Sequence, residues 1–259
     1  MKIIFMGTGT SQGVPVIASR NKSLDLKNPR NWRTRTCTHI EIAGHHIQID
    51  AGQEFRIQCL QNKIEWIDLF ILTHGHADHI LGMDDLRRFC DIIPGNKLDV
   101  ISSREGMERI SQIFPYALHD IPDKPGYPCF SLSEAKPEQE LFGGKVLLKT
   151  ELLPHGPIET LGLVFEAEGK KLAYFSDCKT LTPRAMDMAA KADLLAIDGL
   201  RLRDHPSHMS LFTAMGFAKQ LEANQTYIIH TTSEIDYSIW EPKMPENCHL
   251  AYDGLSVQI

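Results

Sequence analysis

The sequence predicts an α/β fold, in which short buried strands alternate with helices. Short apolar runs alternate with segments whose apolar residues recur at helical spacing. Strand after strand also ends in a histidine or an aspartate, because these end positions are occupied by Asp50, His74, His76, His155, Asp177, Asp198 and His230. Ends of neighbouring strands meet at one edge of a sheet, so these side chains are expected to converge on one site.

Composition and charge limit the class of protein and the partners that the chain can have. The chain has 259 residues, with 27 basic and 33 acidic side chains and a formal net charge of -6. We expect a single domain over residues 1–259, and the charge balance argues against a nucleic-acid polymer or an anionic membrane as partner. Six cysteines without a CxxC pair argue against a disulfide framework and a cysteine-rich zinc site. With no signal peptide and no membrane span expected, the predicted location is cytoplasmic.

A glycine-rich turn follows the first predicted strand, which covers residues 2–6. The turn, residues 7–15, reads Gly-Thr-Gly-Thr-Ser-Gln-Gly-Val-Pro. Such a turn either lets the backbone bend tightly or offers N–H groups to an anion, and the spacing does not decide between the two.

Residues 16–36 are predicted to form a loop with a marked excess of positive charge. Only Asp25 opposes its cations, which are Arg20, Lys22, Lys27, Arg30, Arg33 and Arg35. The run is interpreted either as a solvated surface or as the lining of a pocket for a phosphate-bearing substrate.

The remaining elements follow from apolar periodicity and turn residues. Strands are predicted over 37–42, 46–49, 68–73, 98–101, 145–153, 161–167, 171–176, 192–197 and 226–229, with two short strands near Leu250 and over 255–259. Helices are predicted over 53–61, 80–90, 105–113, 183–190 and 210–221. Residues 115–137 hold five prolines and little periodicity, which predicts an irregular excursion or lid.

The segment from His74 to His79, with the pattern HxHxDH, predicts a metal site after a buried strand. His74 and His76 alternate by two and can face one way in an extended chain. Asp78 and His79 are consecutive and point elsewhere as the chain enters a helix, so this one stretch can supply ligands to two ions. Imidazole and carboxylate groups suit zinc, manganese and iron. The alternative is a polar loop with unrelated histidines.

The order of these residues resembles that of the metallo-β-lactamase-fold hydrolases: THxHxDH, an isolated histidine, a strand-terminal aspartate and a late histidine. The resemblance implies a four-layer αββα sandwich with a dinuclear site. It implies that one metal ion is bound by His74, His76 and His155. It implies that the other is bound by Asp78, His79 and His230. Asp177 would bridge the ions, together with a water or hydroxide.

Further segments resemble the PhnP-type phosphoribosyl cyclic phosphodiesterases and, more distantly, tRNase Z. These segments are the opening Met-Gly-Thr-Gly-Thr-Ser-Gln-Gly-Val-Pro, residues 198–211, and His230-Thr-Thr with Asp236 nearby. In that branch a histidine matching His208 lies near the substrate, as general acid or phosphate contact. The chain lacks the cysteine-rich zinc motif that usually follows this opening, so we expect no structural metal ion. The loop beside the substrate pocket therefore differs from that of the PhnP-type enzymes, and their substrate is not expected to be the substrate of this chain.

The resemblance implies a dinuclear metal-dependent hydrolase that acts on a small, linear or cyclic phosphodiester through a metal-bridging hydroxide. Two divalent ions are expected per chain, zinc or manganese, with iron as a further candidate. The predicted catalytic residues are His208 and Asp78, which is also a ligand. Asp50 is expected to hydrogen-bond a ligand histidine, and Asp198 to serve as a cap or loop contact. The histidines expected to be structural or exposed are His39, His45, His46, His119, His205 and His249.

Other functions are compatible with the same ligands. A thioesterase of the glyoxalase II kind or a lactonase would use the same metals, and a PqqB-like relative would bind without catalysis. The expected partner is a small-molecule phosphodiester, and a homodimer is left open.

Overall fold

Two seven-stranded sheets packed face to face form the centre of the structure, a computed structural model that describes residues 1–19, 24–119 and 126–259. The strands are β1 (Lys2–Gly7), β2 (Cys37–Ile42), β3 (His45–Ile49), β4 (Leu69–Leu72), β5 (Leu98–Ser102), β6 (Phe130–Glu134), β7 (Glu138–Leu141), β8 (Val146–His155), β9 (Ile158–Ala167), β10 (Lys170–Phe175), β11 (Leu194–Asp198), β12 (Gln225–Ile229), β13 (Cys248–Leu250) and β14 (Leu255–Gln258). The first sheet has the order β14-β1-β2-β3-β4-β5-β6, and the second has the order β13-β12-β11-β10-β9-β8-β7.

Short helices connect the strands and cover the outer faces of both sheets. They are α1 (Phe55–Asn62), α2 (Ala77–Ile80), α3 (Arg87–Ile92), α4 (Arg104–Ile113), α5 (Pro183–Ala189), α6 (Leu211–Leu221) and α7 (Tyr237–Trp240). The helices α4, α5 and α6 begin after Ser103, Thr182 and Ser210, whose hydroxyls accept a backbone N–H of the first turn. No helix in the described ranges is long and apolar enough to cross a membrane.

Three apolar clusters separate the layers. Between the sheets lie side chains such as Phe5 and Leu163. Met6, the next residue of β1, faces the opposite way and packs with Phe55 of α1. The outer face of the second sheet packs against α5 and α6, where Ala185 joins a third cluster. The predicted αββα sandwich is therefore confirmed. Successive side chains of β1 point to opposite faces of the sheet, so this strand contributes both to the core between the sheets and to the core under α1.

The predicted helix over 80–90 is wrong as one element. The chain forms α2, then a 3-10 turn over Met83–Leu86, then α3. The interruption lies at Gly82, where an added Cβ would be 2.0 Å from the Gly52 carbonyl oxygen. The Gly82 N–H donates to the Ala51 carbonyl at 2.8 Å instead of continuing the helix. A close approach of two backbones therefore overrides the helical pattern.

The predicted irregular excursion over 115–137 is partly wrong. Its end contains β6, which pairs in parallel with β5, and the charged strand β7 follows directly. Both are edge strands of their sheets, and many of their side chains are polar and at least partly exposed. The alternation of apolar residues that predicts a strand was therefore weak in these segments. Part of the predicted lid, residues 120–125, lies outside the described residues.

One backbone hydrogen bond joins the sheets near the chain's histidine-rich segment. The Leu161 N–H of β9 donates to the Thr73 carbonyl, directly after β4, at 2.9 Å. This bond therefore fixes the end of β4 against β9 of the other sheet.

Truncation of the inter-sheet core should destabilise the fold far more than truncation of the helical surface. Leu163 is fully buried, and Leu60 on α1 is 63% exposed. We expect Leu163→Ala to lower the free energy of unfolding by about 2–5 kcal/mol and Leu60→Ala by less than about 0.5 kcal/mol. Urea unfolding of both variants measures this, and equal losses would contradict the layer assignment.

Candidate metal centre

The seven predicted ligands lie together in two groups at the edge where the strands of both sheets end. Within each group the ligand atoms are all within 4.8 Å of one another. The first group consists of His74, His76 and His155. The second group consists of Asp78, His79, Asp177 and His230. Each group combines residues that follow β4 with residues from the second sheet.

The first group is a ring of three imidazoles. His76 Nδ1 lies 3.0 Å from His74 Nε2 and 3.2 Å from His155 Nε2. The outer nitrogen of His155, Nδ1, donates to the Ser207 carbonyl at 3.0 Å. That of His74 lies 3.1 Å from the Thr73 hydroxyl. These outer contacts turn the inner nitrogens toward a common point, as in a metal site.

The second group places two imidazoles among carboxylates. His79 Nε2 lies 3.3 Å from one oxygen, Oδ2, of both Asp78 and Asp177. His230 Nε2 lies 3.1 Å from the same oxygen of Asp177. That oxygen is also 3.9 Å from His74 Nε2 in the first group. Asp177 therefore lies between the groups, the position that a bridging ligand requires.

Asp50 anchors the centre from behind, as the sequence predicts. It follows β3 and is fully buried, and its two oxygens accept the N–H and hydroxyl of Thr73, each at 2.8 Å. The same carboxylate accepts His79 Nδ1–H at 2.7 Å. Burial raises the pKa of Asp50, and the charge and hydrogen bond of His79 oppose that rise. The contact fixes which nitrogen of His79 faces the second group.

Three of these residues adopt the left-handed backbone conformation, which is uncommon outside glycine. The φ angles are 59° at Asp50, 45° at Asp177 and 59° at His230. Each residue lies one or two positions beyond the end of a strand, where the chain must turn to bring its side chain to the sheet edge. Such conformations cluster at functional sites because the surrounding structure must hold them in place.

The electrostatic environment differs between the groups. Burial lowers the pKa of His155 to about 4 and that of His74 well below its usual value, so both imidazoles are neutral, the form that binds metals. Burial would also lower the pKa values of His79 and His230, but nearby carboxylates, Asp177 foremost, raise both. The second group therefore stabilises positive charge, from a proton or from a metal ion.

The donor set fits divalent metal ions. His79 Nε2, His230 Nε2 and Asp177 Oδ1 are buried and form no hydrogen bond of acceptable geometry among the described residues, although both nitrogens lie close to Asp177 Oδ2. Leaving such atoms without a partner costs about 1–3 kcal/mol each, and coordination would satisfy all three. Nitrogen and carboxylate donors without cysteine suit zinc, manganese or iron.

His208 borders both groups, and Asp198 holds it there. The His208 ring is stacked on His230, with centroids 4.9 Å apart, and lies nearly perpendicular to the His155 ring, with centroids 4.7 Å apart. Its Nδ1–H donates to Asp198 at 2.8 Å. Asp198 also accepts the Cys178 N–H at 3.1 Å. Asp198 is therefore more than the cap or loop contact that the sequence predicted, because it positions His208. Its place at the end of a strand, like that of the predicted ligands, could have indicated this role.

His205, expected to be structural or exposed, also lies at the border of the centre. Its ring centroid is 5.1 Å from that of His208, and its Nδ1 lies 3.3 Å from the Ser207 N–H. No sequence pattern distinguished it, because its neighbourhood arises from the turn over 205–208. By contrast, His39 is fully buried and bonded to Gln48 and His46, as a structural histidine should be.

The glycine turn packs against the chain instead of presenting its N–H groups. Gly9 donates to the Thr34 carbonyl at 2.8 Å, and Gly13 donates to the Thr10 carbonyl at 2.8 Å. A Cβ at Gly9 would lie 2.7 Å from the Arg33 carbonyl oxygen. Of the two interpretations, the structure favours tight packing.

The basic loop has mainly structural contacts where it is described. Arg33 is 2% exposed and donates to the carbonyls of Thr232 and Ile235, at 3.0 and 2.9 Å. Arg35 forms an ion pair with Glu54. Arg30 lies over two tyrosine rings. Two further cations of the loop, Arg20 and Lys22, lie outside the described residues.

Comparison with known proteins agrees with this geometry. Residues 45–231 match the family model of the beta-lactamase superfamily domain. The octanoyltransferase of Porphyromonas gingivalis (strain ATCC BAA-308 / W83) is 30% identical over 262 residues, covering 100% of this chain and 52% of that protein. The chain thus spans about half the length of this relative.

Two solved structures resemble the whole chain. A diphosphatase of the PhnP family has a TM-score of 0.89 at 28% identity, covering 100% of this chain and 97% of the other. Zinc-bound PqqB from Methylobacterium extorquens has a TM-score of 0.81 at 18% identity, covering 100% of both chains. The second likeness shows the fold alone, and together they confirm the metallo-β-lactamase fold.

Removing the anchor behind His79 should weaken metal binding. We expect Asp50→Ala to reduce metal affinity about 10- to 100-fold, because His79 loses the partner that orients it. Competition with a chromogenic chelator measures this, with circular dichroism as the check on folding. Asp68→Ala, at the opposite end of the neighbouring strand, is the matched control. Unchanged affinity in a folded Asp50→Ala protein would remove Asp50 from the centre.

Proposed function

The chain belongs to the beta-lactamase superfamily, and we propose that it is a metal-dependent hydrolase of small phosphodiesters. The observation that carries the proposal is the convergence of two ligand groups on Asp177, with the Asp198–His208 pair beside both. Two adjacent cation sites and a separately held imidazole are the parts that phosphodiester hydrolysis needs.

Two divalent ions bound at this centre would lower the pKa of water and offset the negative charge of the phosphate. The chain's own residues would do the rest. Asp50 holds His79 in one orientation, and the Ser207 carbonyl does the same for His155. His208, bonded through Nδ1 to Asp198, has Nε2 left to donate a proton to the departing alkoxide.

The charge of the neighbouring surface supports a small substrate. A cleft of about 780 Å³ lies beside α4, and two arginines and five glutamates line it. The glutamates are Glu105, Glu108, Glu134, Glu151 and Glu159. Such a wall repels the phosphate backbone of a nucleic-acid polymer, whose binding depends on basic contacts.

The resemblance to a PhnP-family diphosphatase supports a phosphorus centre as the reacting group. The octanoyltransferase is about twice as long as this chain, so its name gives no activity to the matched part. Thioesterase, lactonase and non-catalytic PqqB-like functions would use the same ligand groups. Parallel assays on thioester, lactone and phosphodiester substrates, with metal analysis of the purified protein, separate them.

Ligand substitutions should abolish hydrolysis. We expect His76→Ala and Asp177→Ala each to lose at least about a hundredfold in kcat/KM on bis(p-nitrophenyl) phosphate, together with bound metal. His249→Ala is the control, since His249 is a surface residue paired with Glu241. Wild-type turnover and metal content in both ligand variants would reject the metal-hydrolase proposal.

His208 should affect the rate and leave the metal content unchanged. We expect His208→Ala to lower kcat about 10²- to 10⁴-fold on an ester with an alkoxide leaving group, the range for general acids. The loss should be smaller on bis(p-nitrophenyl) phosphate, because p-nitrophenolate departs without a proton. Equal losses on both substrates would assign His208 to phosphate binding, and lost metal would make it a ligand.

A further inference from the structure

A cavity of about 380 Å³ opens beside the first ligand group. Its lining includes Gly75 and His76 from the metal-binding segment and Arg109 and Gln112 from α4. Because His76 is a predicted ligand, a substrate bound at the centre would have its next group at the mouth of this cavity.

Arg109 is held against the metal-binding segment by close packing. A Cβ at Gly75 would lie 2.8 Å from Arg109 Cγ and 3.0 Å from its Cβ, so only glycine lets the arginine stem lie this close. Arg109 therefore approaches the backbone between His74 and His76 directly.

The guanidinium of Arg109 has no carboxylate partner among the described residues. Its Nη1 donates a hydrogen bond to Gln112 Oε1 at 3.2 Å. Arg104, the first residue of α4, instead pairs with Glu108 at 3.5 Å. Arg109 is thus exposed, lies beside a candidate metal ligand and has no ion-pair partner in the described part of the chain. Its guanidinium matches the paired oxygens of a phosphoryl group.

We propose that Arg109 determines substrate specificity by binding a second phosphoryl group, adjacent to the scissile phosphorus. The substrate class would then be a diester of diphosphate. This inference rests on the proposed function and extends it. Glu105 and Glu108 also line the cavity and would repel an anion, so a phosphoryl group would bind there only beside Arg109.

Binding of two phosphonates to the metal-loaded protein tests the proposal without turnover. Methylphosphonate carries one phosphoryl-like group, and methylenediphosphonate carries two. The ratio of their dissociation constants, measured by calorimetry at a fixed free-metal concentration, reports the second group. We expect Arg109→Ala to reduce the wild-type preference for the diphosphonate about tenfold or more, and Arg109→Lys to restore part of it.

Arg104→Ala is the matched control, because it removes the same charge from the same helix and should leave the ratio unchanged. Metal content is measured in every variant. An unchanged ratio in Arg109→Ala, or an equal reduction in Arg104→Ala, would overturn the proposal. Loss of metal in Arg109→Ala would overturn it too and give the arginine a structural role.

A different experiment tests the proposed function independently of Arg109. Absence of bis(p-nitrophenyl) phosphate hydrolysis by the wild-type protein would reject phosphodiesterase activity, whatever the ratio of the two dissociation constants.

Discussion

The contact between Asp50 and His79 is the constraint on which the centre depends. A fully buried carboxylate is costly unless it is hydrogen-bonded, and Asp50 accepts from Thr73 twice and from His79 once. These bonds tie the end of β3 to the segment after β4. They also set the orientation of the His79 ring.

The rest of the site follows from strand ends. Parallel strands β3 and β4 bring Asp50 and the HxHxDH segment together, while β10, β11 and β12 bring Asp177, Asp198 and His230. Rigid strands fix the backbone, and the residues with left-handed backbone conformation just beyond the strands turn their side chains toward the site. The seven candidate ligands therefore owe their positions mainly to strand ends, whereas His208 lies in the connection between β11 and α6.

Local patterns in the sequence were sufficient to predict an α/β fold and strand-end side chains that converge on one site. The αββα sandwich and the division of these side chains into two ligand groups were implied by the resemblance to the metallo-β-lactamase-fold hydrolases. Apolar runs marked the strands, and the residues after them marked the sheet edge. The break at Gly82 and the pairing of Asp198 with His208 could not be predicted in this way. The break depends on the contact of Gly82 with Gly52, which is distant in sequence. The pairing depends on a contact between Asp198 and His208 across a turn. The edge strands β6 and β7 were missed because their side chains are largely polar.

The hydrogen bond from Leu161 to Thr73 marks the seam between the two halves of the sandwich. Each ligand group spans that seam, since His74, His76, Asp78 and His79 come from one side and His155, Asp177 and His230 from the other. Ions that bind the folded state and not the unfolded chain stabilise it by mass action. Metal ions bound across this seam would therefore hold the two sheets together, and the thermal stability of the whole sandwich would then depend on the metal concentration.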